Sequence, residues 1–330
     1  MERVRWGIIG CGEVTEVKSG PGFQKASGSE LVAVMRRNAG LAEDYARRHQ
    51  VSTWYSEAEK LIADPNVDAI YVATPPGSHK EYTELAAKAG KPVYVEKPMA
   101  RTYEECQDMI EVCEGAGVPL FVAYYRRAQP RFLKVKELLE GGAVGRVCAV
   151  ATTHWKKPVQ LSDTEPLPWR YQKELAGGGL FFDVGSHTLD LLDFLLGPIA
   201  QVQGHASNQA GPGDVEDTVS AAYRFESGVH GTGLWCFSAD RNEDRNVIIG
   251  DRGRLIFSTF DNVPIRLETA DGVQEWSIEQ PQHVQQPMIQ RIVDELLGKT
   301  GAQAPSTGRT AARTARVMDE IVKSYYGGGE

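Results

Sequence analysis

The first third of the chain alternates short, mostly apolar runs with longer stretches in which apolar residues recur every three or four positions. The runs at 4–9, 31–35, 69–73, 92–95 and 120–123 are too short for helices and rich in valine, isoleucine and alanine, the mark of buried strands. Between them the spacing predicts helices over 41–49, 56–62, 80–89 and 103–116. Strands that alternate with helices need crossover connections, and these wind a parallel sheet. The rhythm changes near residue 126. A helix is predicted over 131–140 and a strand over 144–153, and glycines 177–179 lead to a helix near 187–196. Six β-like runs follow at 218–225, 229–236, 246–250, 254–257, 265–268 and 274–278, parted by turns such as Glu226-Ser227-Gly228 and Asp271-Gly272. Strands in succession build an antiparallel or mixed sheet. Helices over 288–297 and 310–325 end the pattern. An α/β domain followed by an α+β domain is expected, with the crossing at about 124–127.

Composition narrows the function classes. The 330 residues suit two domains, and 42% hydrophobic with 24% charged residues is ordinary for a packed core. A formal net charge of -8 argues against nucleic acid as the main partner. The five cysteines, Cys11, Cys106, Cys113, Cys148 and Cys236, are odd in number and form no C-x-x-C. Neither a disulfide framework nor a thiolate metal site is expected, and no metal is. No apolar run reaches the ~20 residues of a membrane span, and no apolar leader precedes the first strand. The expected location is the cytoplasm.

The candidate chemistry begins where the first strand ends. Gly10-Cys11-Gly12 follows that strand and opens a βαβ pattern. The first glycine permits a tight turn; the second lets backbone N–H groups approach a pyrophosphate at a helix start. Gly10, Cys11, Gly12, Glu13 and Val14 are therefore candidate dinucleotide contacts. Thr15 stands where the third glycine of the fingerprint would be. At the end of the second strand an NAD enzyme carries a carboxylate for the ribose hydroxyls. This chain has Arg36 and Arg37 there and no acid. Guanidinium groups bind a 2′-phosphate, so NADP(H) is preferred over NAD(H) as cofactor. The turn Thr74-Pro75-Pro76-Gly77-Ser78-His79 closes another parallel strand. Thr74, Pro75 and His79 are candidate cofactor contacts, with a surface histidine as the plainer reading of His79.

Glu96-Lys97-Pro98 closes a further strand and would place Glu96 and Lys97 at the same sheet end. Lys97 alone would be a solvated lysine. The segment Gly177–Asp190 gives it partners: Asp183 and His187 are four residues apart, so a helix sets them on one face. An aspartate beside a histidine orients the ring and raises its pKa, which makes a proton-transfer pair. A helix with a satisfied core histidine is the alternative.

These pieces together resemble the glucose–fructose oxidoreductase, inositol dehydrogenase and MocA (Gfo/Idh/MocA) family. The resemblance rests on Gly10-Cys11-Gly12, the 74–79 turn, Glu96-Lys97-Pro98 and the 177–190 block. Val215-Glu216-Asp217-Thr218, Ile249-Gly250 and Gly253-Arg254-Leu255 match the family's C-terminal sheet. Pro76 departs from the family, where many members carry asparagine. The resemblance implies a Rossmann-type doubly wound domain over 1–125 and an α+β domain over 126–330 with a large, mostly antiparallel open-faced sheet. That second domain would bind substrate and support oligomers, and the last helix, about 310–326, would pack back on the first. The nicotinamide would lie between the domains. The family's catalytic lysine, aspartate and histidine map onto Lys97, Asp183 and His187.

The reaction expected is hydride transfer between the nicotinamide and a secondary alcohol or ketone of a sugar, cyclitol or related polyol. His187 would move the hydroxyl proton, Asp183 would orient it and bind substrate, and Lys97 would stabilise alkoxide charge. Tyr125, His154, Trp155, Trp169 and Arg170 are further substrate candidates, with Trp155 and Trp169 equally readable as core. Arg126, Lys156 and His283 are pocket candidates too, and Lys18 divides evenly between substrate or phosphate contact and a solvated helix position. Two other readings stay open: a nucleotide-sensing protein of the same fold without catalysis, and a reductase of a non-sugar diol. The expected partners are a small polar substrate and further copies of the chain, as homodimer or homotetramer, with no membrane or nucleic acid.

Overall fold

The apolar runs of the first third become parallel strands. In the computed structural model, which describes residues 2–161, 164 and 166–327, they are β1 (Val4–Ile9), β2 (Ser29–Met35), β3 (Thr53–Tyr55), β4 (Ala69–Val72), β5 (Val93–Val95) and β6 (Leu120–Val122). Their order is β3-β2-β1-β4-β5-β6, that of a doubly wound dinucleotide-binding sheet. Every residue of β4, β5 and β6 is buried, which is why these strands read as unbroken apolar runs. The connecting helices are α1 (Glu13–Val17), α2 (Gly20–Lys25), α3 (Ala39–His49), α4 (Ala58–Ala63), α5 (His79–Lys88) and α6 (Tyr103–Gly115). Their starts are fixed locally. Asn38 accepts the Leu41 N–H at the head of α3, and Thr102 accepts that of Glu105 at the head of α6.

The second sheet orders its strands β14-β13-β12-β11-β7-β10-β9-β8. They are β7 (Val147–Trp155), β8 (Ile199–Ser207), β9 (Thr218–Phe225), β10 (His230–Cys236), β11 (Glu243–Gly250), β12 (Gly253–Phe257), β13 (Ile265–Thr269) and β14 (Gly272–Trp276). Only the β7–β10 pair is parallel. Burial alternates along β9 and β10, so one face is packed and the other open. The packed face meets α7 (Pro130–Glu140), α9 (Ser186–Leu196) and the later part of α11 (Gly308–Tyr326). Phe132, Phe181, Leu192, Trp235, Ile248 and Met318 lie in that core. The short α8 (Lys173–Ala176) precedes the glycines, and α10 (Gln286–Leu296) precedes α11.

Two compact units divide the chain, Met1–Gln129 with Pro281–Ala312, and Pro130–Gln280 with Arg313–Glu330. The expected division at 125/126 thus lies four residues from the first boundary, but it does not anticipate that 281–312 returns to the first unit. The reason is the apolar stripe of α10. Met288, Ile289, Ile292 and Val293 join Trp6, Phe23, Tyr71 and Tyr94 in one core. Periodicity shows that a helix buries a face, not which core receives it. The start of α11 belongs to the first unit and its remainder to the second.

Candidate active site

In the first unit the chain leaves β1 at Gly10 with φ +91. A Cβ there would stand 2.7 Å from Thr74 Cγ2 and 3.0 Å from the Ala73–Thr74 backbone. Only glycine fits this crossing. The N–H groups of Gly10 and Cys11 donate to the Met35 carbonyl at 2.9 and 3.1 Å, tying the loop to the end of β2. At Gly12 a Cβ would meet nothing closer than the Gly10 oxygen at 3.8 Å. This open side, at the N-cap of α1, fits the close approach of a pyrophosphate. Thr15 is buried and its hydroxyl donates to the Gly12 carbonyl at 2.8 Å. The tight packing usual at the third glycine falls instead on Gly20, where a Cβ would lie 2.2 Å from the Thr15 oxygen. The Cys11 thiol is buried and pushed up to about 11 by that burial, so it is no nucleophile at neutral pH. Glu13 and Val14 keep their side chains exposed or half-buried.

Arg36 and Arg37 follow β2 and are exposed. Among the described residues neither makes an ion pair. Thr74 and Pro75 are half-buried, and Ser78 donates to the Thr74 hydroxyl at 2.8 Å. His79 corrects the expectation. It is wholly buried, Nε2 lies 2.7 Å from the Thr74 carbonyl, and Nδ1 lies 3.1 Å from that of Pro98. Burial lowers its pKa. Its ring therefore joins two loops from inside and has no surface to offer a cofactor.

Glu96 is 6% exposed. Its Oε1 accepts Tyr71 Oη–H and Gln285 Nε2–H, each at 2.5 Å, and its Oε2 accepts the Lys97 N–H at 3.1 Å. Gln285 in turn accepts from Tyr94 Oη–H at 2.9 Å. Lys97 is half-buried beside this network. Gln285, Tyr71 and Tyr94 carried no sequence signal, because Gln285 arrives from 189 positions away. His283 serves the same returning segment: Nδ1 meets the Val17 carbonyl at 2.7 Å and Nε2 meets Lys25 Nζ at 2.8 Å. Lys18 is exposed at its side chain while its carbonyl accepts the Gln285 N–H. Gln285→Leu leaves a buried carboxylate short of a donor. We expect it to cost about 1.5–3 kcal/mol of stability, read as a lower urea midpoint; an unchanged midpoint would show that Glu96 does not need it. Tyr125 is 8% exposed and belongs to this unit's core, with the Arg126 guanidinium over its ring.

In the second unit, Asp183 sits in a single π-helical turn, Phe181–Gly185, that runs directly into α9, which carries His187. Such turns are uncommon and concentrate at functional sites. The expected helical continuity from 183 to 187 is therefore present, with one wider turn. Asp183 Oδ2 accepts from Arg170 Nε at 3.0 Å, and the Arg170 guanidinium stacks over Trp169 at 4.5 Å. Trp169, Arg170 and Asp183 form one assembly. His187 is 3% exposed and stands edge-on to Phe260 at 5.8 Å. His154 meets the same ring at 4.9 Å, and Lys156 Nζ lies 5.5 Å above it. Phe260 was not anticipated, and nothing in its sequence context marks it.

His154 and Trp155 cannot serve one pocket. Neighbouring residues of a strand point to opposite faces. His154 is 1% exposed on the packed face, whereas Trp155 pairs with Cys236 on the open face, under the Arg241 guanidinium at 5.3 Å. Only His154 shares a face with α9. Among the described residues no group of three or more His, Cys, Asp or Glu could hold a metal ion, and no helix is long and apolar enough to cross a membrane.

Residues 4–124 match the model of the oxidoreductase family with an NAD-binding Rossmann fold. Residues 132–256 match that of the GFO/IDH/MocA C-terminal domain. The chain belongs to the Gfo/Idh/MocA oxidoreductase family. It is an oxidoreductase, as the catalytic reading expected. Among its relatives, Oxidoreductase P35 of Formosa agariphila is 38% identical over 321 residues, spanning 96% of this chain and 98% of the relative. The 1,5-anhydro-D-fructose reductase of Ensifer adhaerens is 32% identical over 76% of this chain and 75% of its own. Among solved members, levoglucosan dehydrogenase in complex with NADH superposes with a TM-score of 0.83 at 26% identity, covering 99% of this chain and 98% of that one.

Proposed function

We propose that this Gfo/Idh/MocA member transfers hydride between a nicotinamide cofactor and a secondary alcohol or ketone of a sugar-like polyol, with a preference for NADP(H). The observation that carries the substrate class is the Trp169–Arg170–Asp183 assembly, whose Asp183 lies on the same helical path as His187. A stacked aromatic face, a guanidinium and a carboxylate suit a polyhydroxylated ring. The anhydrofructose reductase and levoglucosan dehydrogenase relatives support this by their names. Lys97, Asp183 and His187 are assigned the catalytic roles that the family resemblance implies. His187 takes or returns the hydroxyl proton, Asp183 orients it and accepts a substrate hydroxyl, and Lys97 donates to the reacting oxygen as charge develops there. Gly10 to Val14, Thr74, Pro75, Glu96 and Lys97 would hold the cofactor, which supplies the hydride donor or acceptor. A panel of keto-sugars and inosose-like ketones, followed by NADPH and NADH absorbance, tests the class; inertness of all of them with cofactor bound would overturn it.

The NADP(H) preference rests on Arg36 and Arg37, exposed, without an ion pair among the described residues, and with no acid beside them. Arg36→Asp removes a cation and adds the carboxylate that repels a 2′-phosphate. It should weaken NADPH binding about tenfold or more, since a hydrogen bond to a charged group is worth ~1.5–3 kcal/mol. NADH affinity should change by less than about threefold. Equal losses in fluorescence titrations would remove the argument. The open face of the second sheet, with Leu234 38% and Ile249 41% exposed, supports self-association as a homodimer or homotetramer.

A further inference from the structure

We infer that Glu216 is a positioning residue whose buried carboxylate clamps the start of the helical segment carrying Asp183 and His187, and releases it on protonation. The inference rests on the role proposed above for those two residues. Glu216 is 1% exposed in the loop before β9. Both its oxygens accept the Gly179 N–H, at 2.9 and 2.8 Å, and the Phe181 N–H also bonds to it. The hydroxyl of Tyr326, in the last turn of α11, donates to Oε2. Gly179 must be glycine here, since a Cβ would lie 2.3 Å from the Glu216 carbonyl oxygen. Two separate parts of the second unit, the 179–181 segment and the end of α11, thus converge on one carboxylate.

The chemistry favours the ionised form for holding the clamp. The first N–H groups of a helical segment have no partner within it, and a negative charge beside them is favourable. Gly179, Phe181 and Tyr326 all donate. A carboxylic acid would have to give a hydrogen of its own, and the Tyr326 oxygen, whose hydrogen would then need a new partner, is the acceptor at hand. Burial, against those bonds, raises the Glu216 pKa to about 7, so the change falls near neutral pH. Asp217, Tyr326, Tyr325 and Tyr171 around it are all moved away from neutral pH. Asp217 is held below its usual value: burial alone would raise it, but the N–H groups of Gln209 and Ala210 and the Thr218 hydroxyl outweigh that. Burial pushes Tyr326, Tyr325 and Tyr171 up. Lys173 lies over the Tyr326 ring at 4.3 Å, and Asp214 accepts from Tyr325 through its carbonyl. Because the folded value lies above the ordinary 4.5, the folded chain keeps between about 4.5 and 7 a proton that the unfolded chain has lost. Stability therefore falls as pH rises through that window, while the clamp closes.

Hydrogen exchange of the 177–183 segment in the full-length protein, corrected for intrinsic rates, tests this at pH 6 and pH 8. Wild type should be protected about tenfold more at pH 8; Glu216→Gln should show no such dependence. Tyr326→Phe, which keeps both backbone bonds, should move the transition to higher pH because it removes a donor to the ionised form. In the kcat–pH profile with any active substrate, the acid side should lose one ionisation in Glu216→Gln and so fall less steeply than in wild type. Protection in wild type that does not change with pH overturns the clamp whatever the activity does. Exchange that responds while His187→Ala remains fully active would keep the clamp and remove the proton-transfer assignment instead.

Discussion

Lys97→Ala is expected to lower kcat by about a thousandfold, with a much smaller change in cofactor affinity. The argument runs through placement. Lys97 follows a strand in which every residue is buried, and its N–H is anchored by Glu96, itself held by Tyr71 and Gln285. An ammonium carried on a backbone fixed this way gains most when charge develops on the substrate oxygen, and removing one such donor costs ~10²–10³ in kcat. Loss of a general acid or base costs ~10²–10⁴, so His187→Ala should fall in the same range. If both serve one proton path, the double variant should lose much less than the product of the single losses. Steady-state rates with the best substrate of the panel decide this; a Lys97→Ala enzyme within about tenfold of wild type would detach Lys97 from the chemistry.

The largest effect on stability is expected at Trp235. Its ring is fully buried on β10, lies 2.2 Å from where a Gly233 Cβ would be, and meets Phe181 at 5.0 Å. Trp235→Ala opens a cavity in the core beneath the π-turn and should cost ~3–5 kcal/mol, a large share of the ~5–15 kcal/mol available to a domain. The indole N–H has no hydrogen-bond partner among the described residues, so Trp235→Phe should cost less than half as much, because no donor is lost with the ring. Circular dichroism through a urea series measures both. Equal midpoints for Trp235→Ala and wild type would refute the packing argument.

The strands buried on both faces were legible because burial leaves only apolar residues, as in Ala69–Val72. β8 was not. It is an edge strand whose outward Gln201, Gln203 and His205 are polar, and Gly204 interrupts it. That glycine is explained by tertiary structure: a Cβ would lie 2.7 Å from Ile321 of α11. Three-residue β3 offered too little pattern. At the site, the Gly10 turn and the 183–187 spacing were readable because each is local. The networks were not, since Gln285 reaches Glu96, and Tyr326 reaches Glu216, across more than a hundred positions. The separation of His154 from Trp155 follows from the two-residue period and was available in the sequence. The burial of His79 was not, because a turn histidine looks the same inside or out.

The return of 281–312 to the first unit bears on how such a protein can be inherited. The chain passes from one unit to the other at 129/130, 280/281 and 312/313. A recombination event that exchanged residues 1–125 alone would bring in a strand-end glutamate without its Gln285, and a core surface without Met288, Ile289 and Ile292. The two units are therefore not beads that evolution can restring by a single junction; a new pairing has to keep matched pieces from both 1–129 and 281–312.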